Sequence, residues 1–450
     1  MERSPFTPPE VWGGRTAEEV KEFPVDYSLL SSEVFSAGRG PERNFDYELR
    51  NVLDVCNNNT EKRQEADVNH SLWNLQPNRK AYGTSLSLYD RNPVTGKVSG
   101  DPIADSYAYI ARRNNSLMVI ADGVNWGDKS MIAARCAVCA SINYLNDAVF
   151  ANFHAIYSTK DALLLMRKAF DVAHESILQH NGGLTTLNIT MVLPIHSSTQ
   201  YAVCSVNVGD SLTYVFSKRY GMNELSVASH DINKERNMKD VGGAIGPVDG
   251  SQPYLTNLTF SVTTCEPGDI VFQTTDGISD NFDPVVTKLA VPGRRDSTLQ
   301  SVEEKAEMLP HERHMFAMKG MERVIHEYEL VTEHDISAQE LCKALSNHVT
   351  SLTQPKRLVI ENPVYYRRQF KKKERKKIEE TIRNAMRPLP GKLDHATVLA
   401  YEVGVYRDEN SPNRSLDDIS SAQDSCCVSH RSSVSSTIET SPSLVFESDV

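Results

Sequence analysis

Between Ala81 and Asp283 the chain is built from short β-rich runs bounded by turn residues, interrupted by two stretches of helical periodicity. The runs include AYGTSLSLYD, DSYAYIARR, SLMVIADG, LTTLNITMVLPI, YAVCSVNVGDSLTYVF and TTCEPGDIVFQTTDG. The helical stretches fall at 129–150 and 160–180. In the second, Ala162, Leu163, Met166, Ala169, Phe170, Ala173 and Ile177 recur on one face. A parallel sheet needs a crossover helix between successive strands. Strands here outnumber such helices, which predicts mainly antiparallel sheets with helices packed outside them, an α+β chain and not a doubly wound one.

Outside that region the pattern changes. Residues 1–80 mix proline, asparagine and charge with little periodicity and read as an irregular N-terminal extension. A folded domain is expected over 81–405, closed by the strand DHATVLAYEVG. It carries a charged, helix-like insertion at about 284–390, expected as a flap or appendage beside the cleft. From 406 to 450 the composition turns to serine, aspartate and asparagine, which predicts a disordered tail.

Composition narrows the partners. The net charge of -11 argues against a nucleic-acid partner. No run reaches the ~18–20 apolar residues of a membrane span, and MERSPFTPPEVWGG lacks the apolar core of a signal peptide. A cytoplasmic or nuclear monomer is the expectation. Cys136 and Cys139 form a CxxC inside the apolar helical run ARCAVCASINYL, with no second pair at finger spacing, so they read as buried helix residues. The basic run RRQFKKKERKK, Arg367 to Lys377, is balanced in part by Glu374, Glu379 and Glu380 and reads as a solvated helix face. The terminal Ser448-Asp449-Val450 matches the Ser/Thr-x-hydrophobic pattern taken up at a sheet edge by PDZ-type partners.

Four aspartates stand where chemistry is economical. Asp105 and Asp394 open strands, while Asp122 and Asp276 each end an apolar strand and precede glycine. Carboxylates at strand ends are held by rigid elements and converge at little entropic cost. Oxygen ligands without nearby histidine or cysteine suit magnesium or manganese better than zinc. Two such ions lower the pKa of a shared water and aim it at phosphorus. There is no GxSxG elbow, no GxxxxGK-Ser/Thr loop and no Cys-x5-Arg loop to supply a covalent route.

Six blocks, in order, resemble the metal-dependent protein phosphatase family, type 2C. VIADGVNWG resembles its apolar strand and DGHGG-like turn, and GGLTTLNITMV its GSTA-type strand. VNVGDSLTYVF is similar to its NxGDSR-type block, and SHDINKERNMKDVGGAI to its DHKP segment. GDIVFQTTDGISDNF is similar to its DG turn followed by an acid, and DHATVLAYEV to its closing strand. The likeness covers about 82–283 and 392–404. It implies a four-layer αββα sandwich of two antiparallel sheets, with two Mg2+ or Mn2+ ions between them. It implies that Asp122 bridges the ions and that the Gly123 carbonyl binds one. Asp276 and Asp394 would complete the other, with Asp105 acting through water. It implies a structural role for Asp210 and His230.

The chain departs from that pattern. The stretch that carries the family's phosphate-binding arginine reads VSGDPIAD, with Gly100 and no arginine; Arg112 or Arg113 is the candidate replacement. Asn181 stands where a third, weaker metal position takes an aspartate, and Asp394 is followed by His395 instead of asparagine. The resemblance implies metal-dependent hydrolysis of phosphoserine and phosphothreonine in proteins. The departures keep open a pseudophosphatase that binds without turning over.

Overall fold

The computed structural model describes residues 8–41, 78–151, 154–234, 240–292, 306–366 and 371–406. Their strands are β1 (Trp12–Gly14), β2 (Val34–Gly40), β3 (Ala81–Ser87), β4 (Ser106–Arg112), β5 (Asn115–Ala121), β6 (Leu187–Pro194), β7 (Tyr201–Val208) and β8 (Leu212–Ser217). They continue with β9 (Gly221–Glu224), β10 (Ala244–Asp249), β11 (Gln252–Tyr254), β12 (Thr259–Cys265), β13 (Ile270–Thr274), β14 (Ala290–Pro292), β15 (Ala306–Met308) and β16 (His395–Glu402). The helices are α1 (Asp128–Asn146), α2 (Thr159–Gln179), the single turn α3 (Asp276–Ser279), α4 (Pro310–Thr332), α5 (Ala338–Ile360) and α6 (Lys372–Met386).

Two sheets dominate. The larger has the order β1-β12-β7-β6-β5-β4-β2 and the smaller β3-β16-β13-β8-β9. Every pairing in both is antiparallel. The central strands are buried on both faces, and their period of two sorts side chains between different cores. On β4, Ala108 and Ile110 join the core beneath α1 and α2, while Tyr107, Tyr109 and Ala111 face the other sheet. On β16, Ala396, Val398 and Ala400 lie beneath α4 and α5, while Leu399 and Tyr401 face inward. Three apolar cores thus separate four layers, helices-sheet-sheet-helices, as the family resemblance implies, and the sheets are antiparallel, as the excess of strands over crossovers predicts.

The helices follow from their caps and faces. Ser158 accepts from Asp161 N and Asp161 reaches back to Ser158 N, a capping box that starts α2. The seven apolar residues expected on one face of α2 are all buried. Cys136 and Cys139 both lie on α1 and are free thiols. Burial pushes the Cys136 thiol up to about 11, which leaves it a poor metal ligand or nucleophile.

Two expectations about organisation change. Part of the supposed irregular extension is sheet: β1 pairs with β12, and β2 forms an edge beside β4. Its glycines hid the strand pattern. Gly38 and Gly40 lie under the rings of Tyr109 and Tyr107, where a Cβ would collide. The charged interval 284–390 is not an appendage throughout. Met318, Met321, Val324 and Ile325 of α4 and Leu341, Leu345 and Val349 of α5 pack on Tyr214 and Phe272 of the smaller sheet, forming its helical layer. These helices read as charged because only one face of each is buried. The Ser-rich stretch from 407 onward, with Ser448-Asp449-Val450, lies outside the described residues. No helix among the described residues is long and apolar enough to cross a membrane. Of the basic run, residues 373–377 on α6 are exposed, the solvated face expected there.

Candidate metal centre

The Asp-Gly pairs at 122–123 and 276–277 mark places where a helix start presses on neighbouring backbone. Asp122 follows β5, and its main chain is fixed on both sides. Its N–H donates to Thr186 Oγ1 at 2.9 Å, and its carbonyl accepts from Thr186 N and Thr185 Oγ1 at 2.8 Å each. A Cβ at Gly123 would stand 2.9 Å from the Ala104 carbonyl oxygen and 2.8 Å from the carbonyl carbon of Ser130, at the start of α1. Asp276 opens the turn α3 directly after β13. A Cβ at Gly277 would overlap the His395 carbonyl oxygen and lie 2.9 Å from Ala396 Cα. Glycine is required in each pair for close approach, and the aspartate before it is thereby fixed at the rim between the sheets.

Asp105 sits just before β4 and is fully buried. Its Oδ2 accepts from Thr275 Oγ1 and Thr397 Oγ1, both at 2.8 Å, whereas Oδ1 is buried without a hydrogen bond. Asp394 precedes β16 and accepts from its neighbour's N–H at 2.9 Å and from the Tyr89 hydroxyl at 3.1 Å. Asp276 Oδ1 is also buried without a hydrogen bond, and its Oδ2 accepts from Lys392 Nζ. That ammonium also reaches Asp280 Oδ2 at 2.9 Å and Asp394 Oδ2 at 3.0 Å. Beneath the cluster a polar layer joins the sheets. Gln273 Nε2 donates to Asn188 Oδ1 at 2.7 Å and to Thr190 Oγ1 at 2.9 Å, and Thr213 Oγ1 donates to Asn188 Oδ1 at 3.0 Å.

The structure therefore brings Asp105, Asp122, Asp276 and Asp394 into one electrostatic neighbourhood. Withdrawal from water, then repulsion by Asp105, Asp276, Asp394 and Asp210, pushes Asp122 well above the usual carboxylate range. Burial, then Asp280 and Asp210, does the same to Asp276. Burial raises Asp105 too. For Lys392 burial opposes the charge, but Asp280, Asp276 and Asp394 outweigh it and hold the ammonium well above the ordinary lysine range. One cation faces an excess of carboxylate. Two buried carboxylate oxygens still lack a partner hydrogen, and the donor set is all oxygen. These residues fit a hard divalent cation.

Several residues take other places than expected. Arg112 does not replace the missing arginine. It lies at the end of β4 opposite Asp105, buried, donating to Asn146 Oδ1 and stacked 3.6 Å from the Phe150 ring centroid. The Gly100 position is filled by aromatic side chains. With φ of 81°, it faces the Tyr89 ring at 2.6 Å and His395 Nε2 at 3.2 Å from an added Cβ, so an arginine there would displace Tyr89. His395, at the asparagine position, accepts from Ala104 N at 3.2 Å through Nδ1. Asn181 is exposed in the turn after α2, with φ of 53°, a conformation asparagine tolerates. Asp210, expected in a structural role, belongs to the charged neighbourhood of Asp122 and Asp276.

Lys392 and Asp280 also belong to this cluster, although neither is among the aspartates singled out as candidate ligands. Asp280 was legible as the acid four residues after Asp276, on the same face of a helical turn. Lys392 carried no signal beyond lying two residues before Asp394.

No protein-family model matches the chain. Among curated proteins, it is 49% identical over 224 residues to the PP2C-like domain-containing protein CG9801 of Drosophila melanogaster. Over that stretch the chain is similar to a PP2C-like protein. The match spans 49% of this chain and 32% of that relative, so it covers about a third of the relative's length. Solved structures with weaker likeness include the photosystem II phosphatase PBCP, 16% identical with a TM-score of 0.37, covering 72% of this chain and 99% of that one. The SiaA-PP2C domain of Pseudomonas aeruginosa is 12% identical with a TM-score of 0.32, covering 72% of this chain and 87% of that one. At those scores neither carries weight beside the layers and strand order already described.

Proposed function

We propose that this PP2C-like chain is a metal-dependent phosphatase acting on phosphoserine and phosphothreonine in proteins. The observation that carries the reading is the convergence of Asp105, Asp122, Asp276 and Asp394 from four separate strand ends, with two buried carboxylate oxygens left without a hydrogen bond. Asp122, the Gly123 carbonyl, Asp276 and Asp394 would hold Mg2+ or Mn2+, and Asp105 would support them from behind. Bound cations would supply Lewis acidity toward water and the phosphoryl oxygens. The chain's own groups do the positioning. Thr275 and Thr397 fix Asp105, and the Tyr89 hydroxyl fixes Asp394. The Gln273–Asn188 layer keeps the floor of the site rigid. The phosphatase unit so read starts before residue 81, because β1 and β2 complete its larger sheet.

A second reading, a binding scaffold without turnover, is favoured by Lys392. Its ammonium already occupies the space between Asp276, Asp280 and Asp394, and the Tyr89 ring fills the place beside Gly100. The two readings separate in one experiment. In Mn2+, Asp276→Asn should lower turnover of a phosphothreonine peptide at least ~100-fold, the scale on which one preorganised electrostatic group acts. The circular dichroism spectrum should be unchanged. A folded wild-type protein with no turnover to lose selects the scaffold.

A further inference from the structure

On the far side of Asp280 a second group of ligand-type side chains meets. Glu224 ends β9, His230 closes the short 3-10 helix Ser226–Ser229 that follows, and His314 opens the second turn of α4. We propose that Glu224, His230 and His314 form a separate site for a divalent transition cation of the zinc class.

The side chains come from three different elements and point at one another. His230 Nε2 is 2.8 Å from Glu224 Oε1, and His314 Nδ1 is 3.6 Å from Glu224 Oε2. One ligand atom from each residue lies within 4.8 Å of the other two. A tetrahedral cation bonded at ~2.0–2.1 Å keeps its ligands roughly 3.4 Å apart, so modest rotation of the two imidazoles completes the geometry. Glu224 is 4% exposed, and its Oε2 accepts no hydrogen bond. Its other oxygen accepts from Ser226 Oγ at 3.1 Å, which fixes the carboxylate. A buried carboxylate with one oxygen on each imidazole, the one facing His314 accepting no hydrogen bond, distinguishes the group from a surface ion pair. Two nitrogens and one oxygen select zinc-type ions over magnesium, unlike the all-oxygen cluster around Asp122.

Three protein ligands leave a fourth position open. It faces a cavity of about 490 Å3, which Glu224, His230 and His314 line together with Asp280, Asp283 and Arg313. An ion there would clasp α4 to the β9 turn and offer its free position to water or to an oxygen of a molecule in the cavity.

The test titrates chelator-treated full-length protein with Co2+ and then Zn2+, in excess Mg2+ to fill the carboxylate cluster. One equivalent of Co2+ should give the visible d–d bands of a four-coordinate ion, and Zn2+ should bleach them. In His314→Ala the affinity should fall by more than the ~10–100-fold typical of losing an outer partner. His230→Ala should do the same, and Asp276→Asn should leave the bands intact. Far-ultraviolet circular dichroism checks folding, and agreement between the two histidine variants guards against one being misfolded. Absence of bands in the folded wild type overturns the proposal. So does full Co2+ uptake by both histidine variants, or loss of the bands in Asp276→Asn. None of these outcomes depends on phosphatase turnover, so the site can fail while the reading of the carboxylate centre stands.

Discussion

Lys392→Met should destabilise the metal-free protein by about 3–5 kcal/mol, the cost of stripping one partner from a buried ionic network. It should also make stability depend on a divalent cation. Methionine keeps the length and apolar stem of the side chain but removes the charge. Asp276, Asp280 and Asp394 would then face one another with nothing between them. The side chains of Asp276 and Asp280 are only 10% and 1% exposed, so water offers little relief. With an unfolding entropy of ~2.1 cal/mol/K per residue, a folded unit of this size should lose roughly 4–7 °C in Tm. Mn2+ should restore most of it, because the ion supplies the charge the ammonium supplied and meets no competitor. The variant should therefore bind Mn2+ more tightly than the wild type. Thermal unfolding with and without Mn2+ reads both effects. Equal stability of the two metal-free proteins would show that Lys392 does not neutralise the cluster.

Gly277→Ala should cost at least about 3 kcal/mol, the upper part of the range for overpacking, and should abolish metal binding with it. The added Cβ would overlap the carbonyl oxygen of His395 and come within 2.7 Å of its carbon and 2.9 Å of Ala396 Cα. All three are main-chain atoms of β16 or its first residue. β16 is hydrogen-bonded on both sides, to β3 and β13, so it cannot yield. The turn α3 must move instead, carrying Asp276 and Asp280 with it. Gly250→Ala is the matching control. Its φ of 62° is unfavourable for alanine, but nothing lies within 4 Å, so the cost should stay near 1–2 kcal/mol. Urea unfolding of the pair distinguishes collision from conformational strain. Equal costs would mean that packing against His395 is not the reason for glycine at 277.

The legibility of this chain was uneven for physical reasons. Strands such as β4 and β5 announce themselves because both faces are buried and the run ends at a sharp turn. The convergence of Asp105, Asp122, Asp276 and Asp394 was readable because each sits at a strand boundary, where position along the chain is nearly position in space. β1 and β2 are not readable because glycine replaces the alternating apolar residues, under tyrosine rings at Gly38 and Gly40 and against Ala228 and Glu19 at Gly13 and Gly14. The helices α4 and α5 were mistaken for an insertion because one buried face in a charged helix looks solvated in sequence. Lys392 was missed because its importance lies in three partners drawn from α3, the segment after it and the start of β16. Arg112 cannot reach the carboxylates because it ends β4 while Asp105 precedes its start, a separation that proximity in sequence conceals. His230 shows the same limit, since its meeting with His314 spans a long stretch of chain.

The central claim is that the carboxylate cluster is a working hydrolytic centre despite the ammonium in its midst. Steady-state hydrolysis of a phosphothreonine peptide by the wild-type protein, in Mn2+ and in EDTA, tests it most directly. Turnover that requires Mn2+ and disappears in EDTA is the predicted result. A folded protein that binds Mn2+ but shows no turnover, or that binds none at all, would contradict it and leave a scaffold whose acidic site is closed by Lys392.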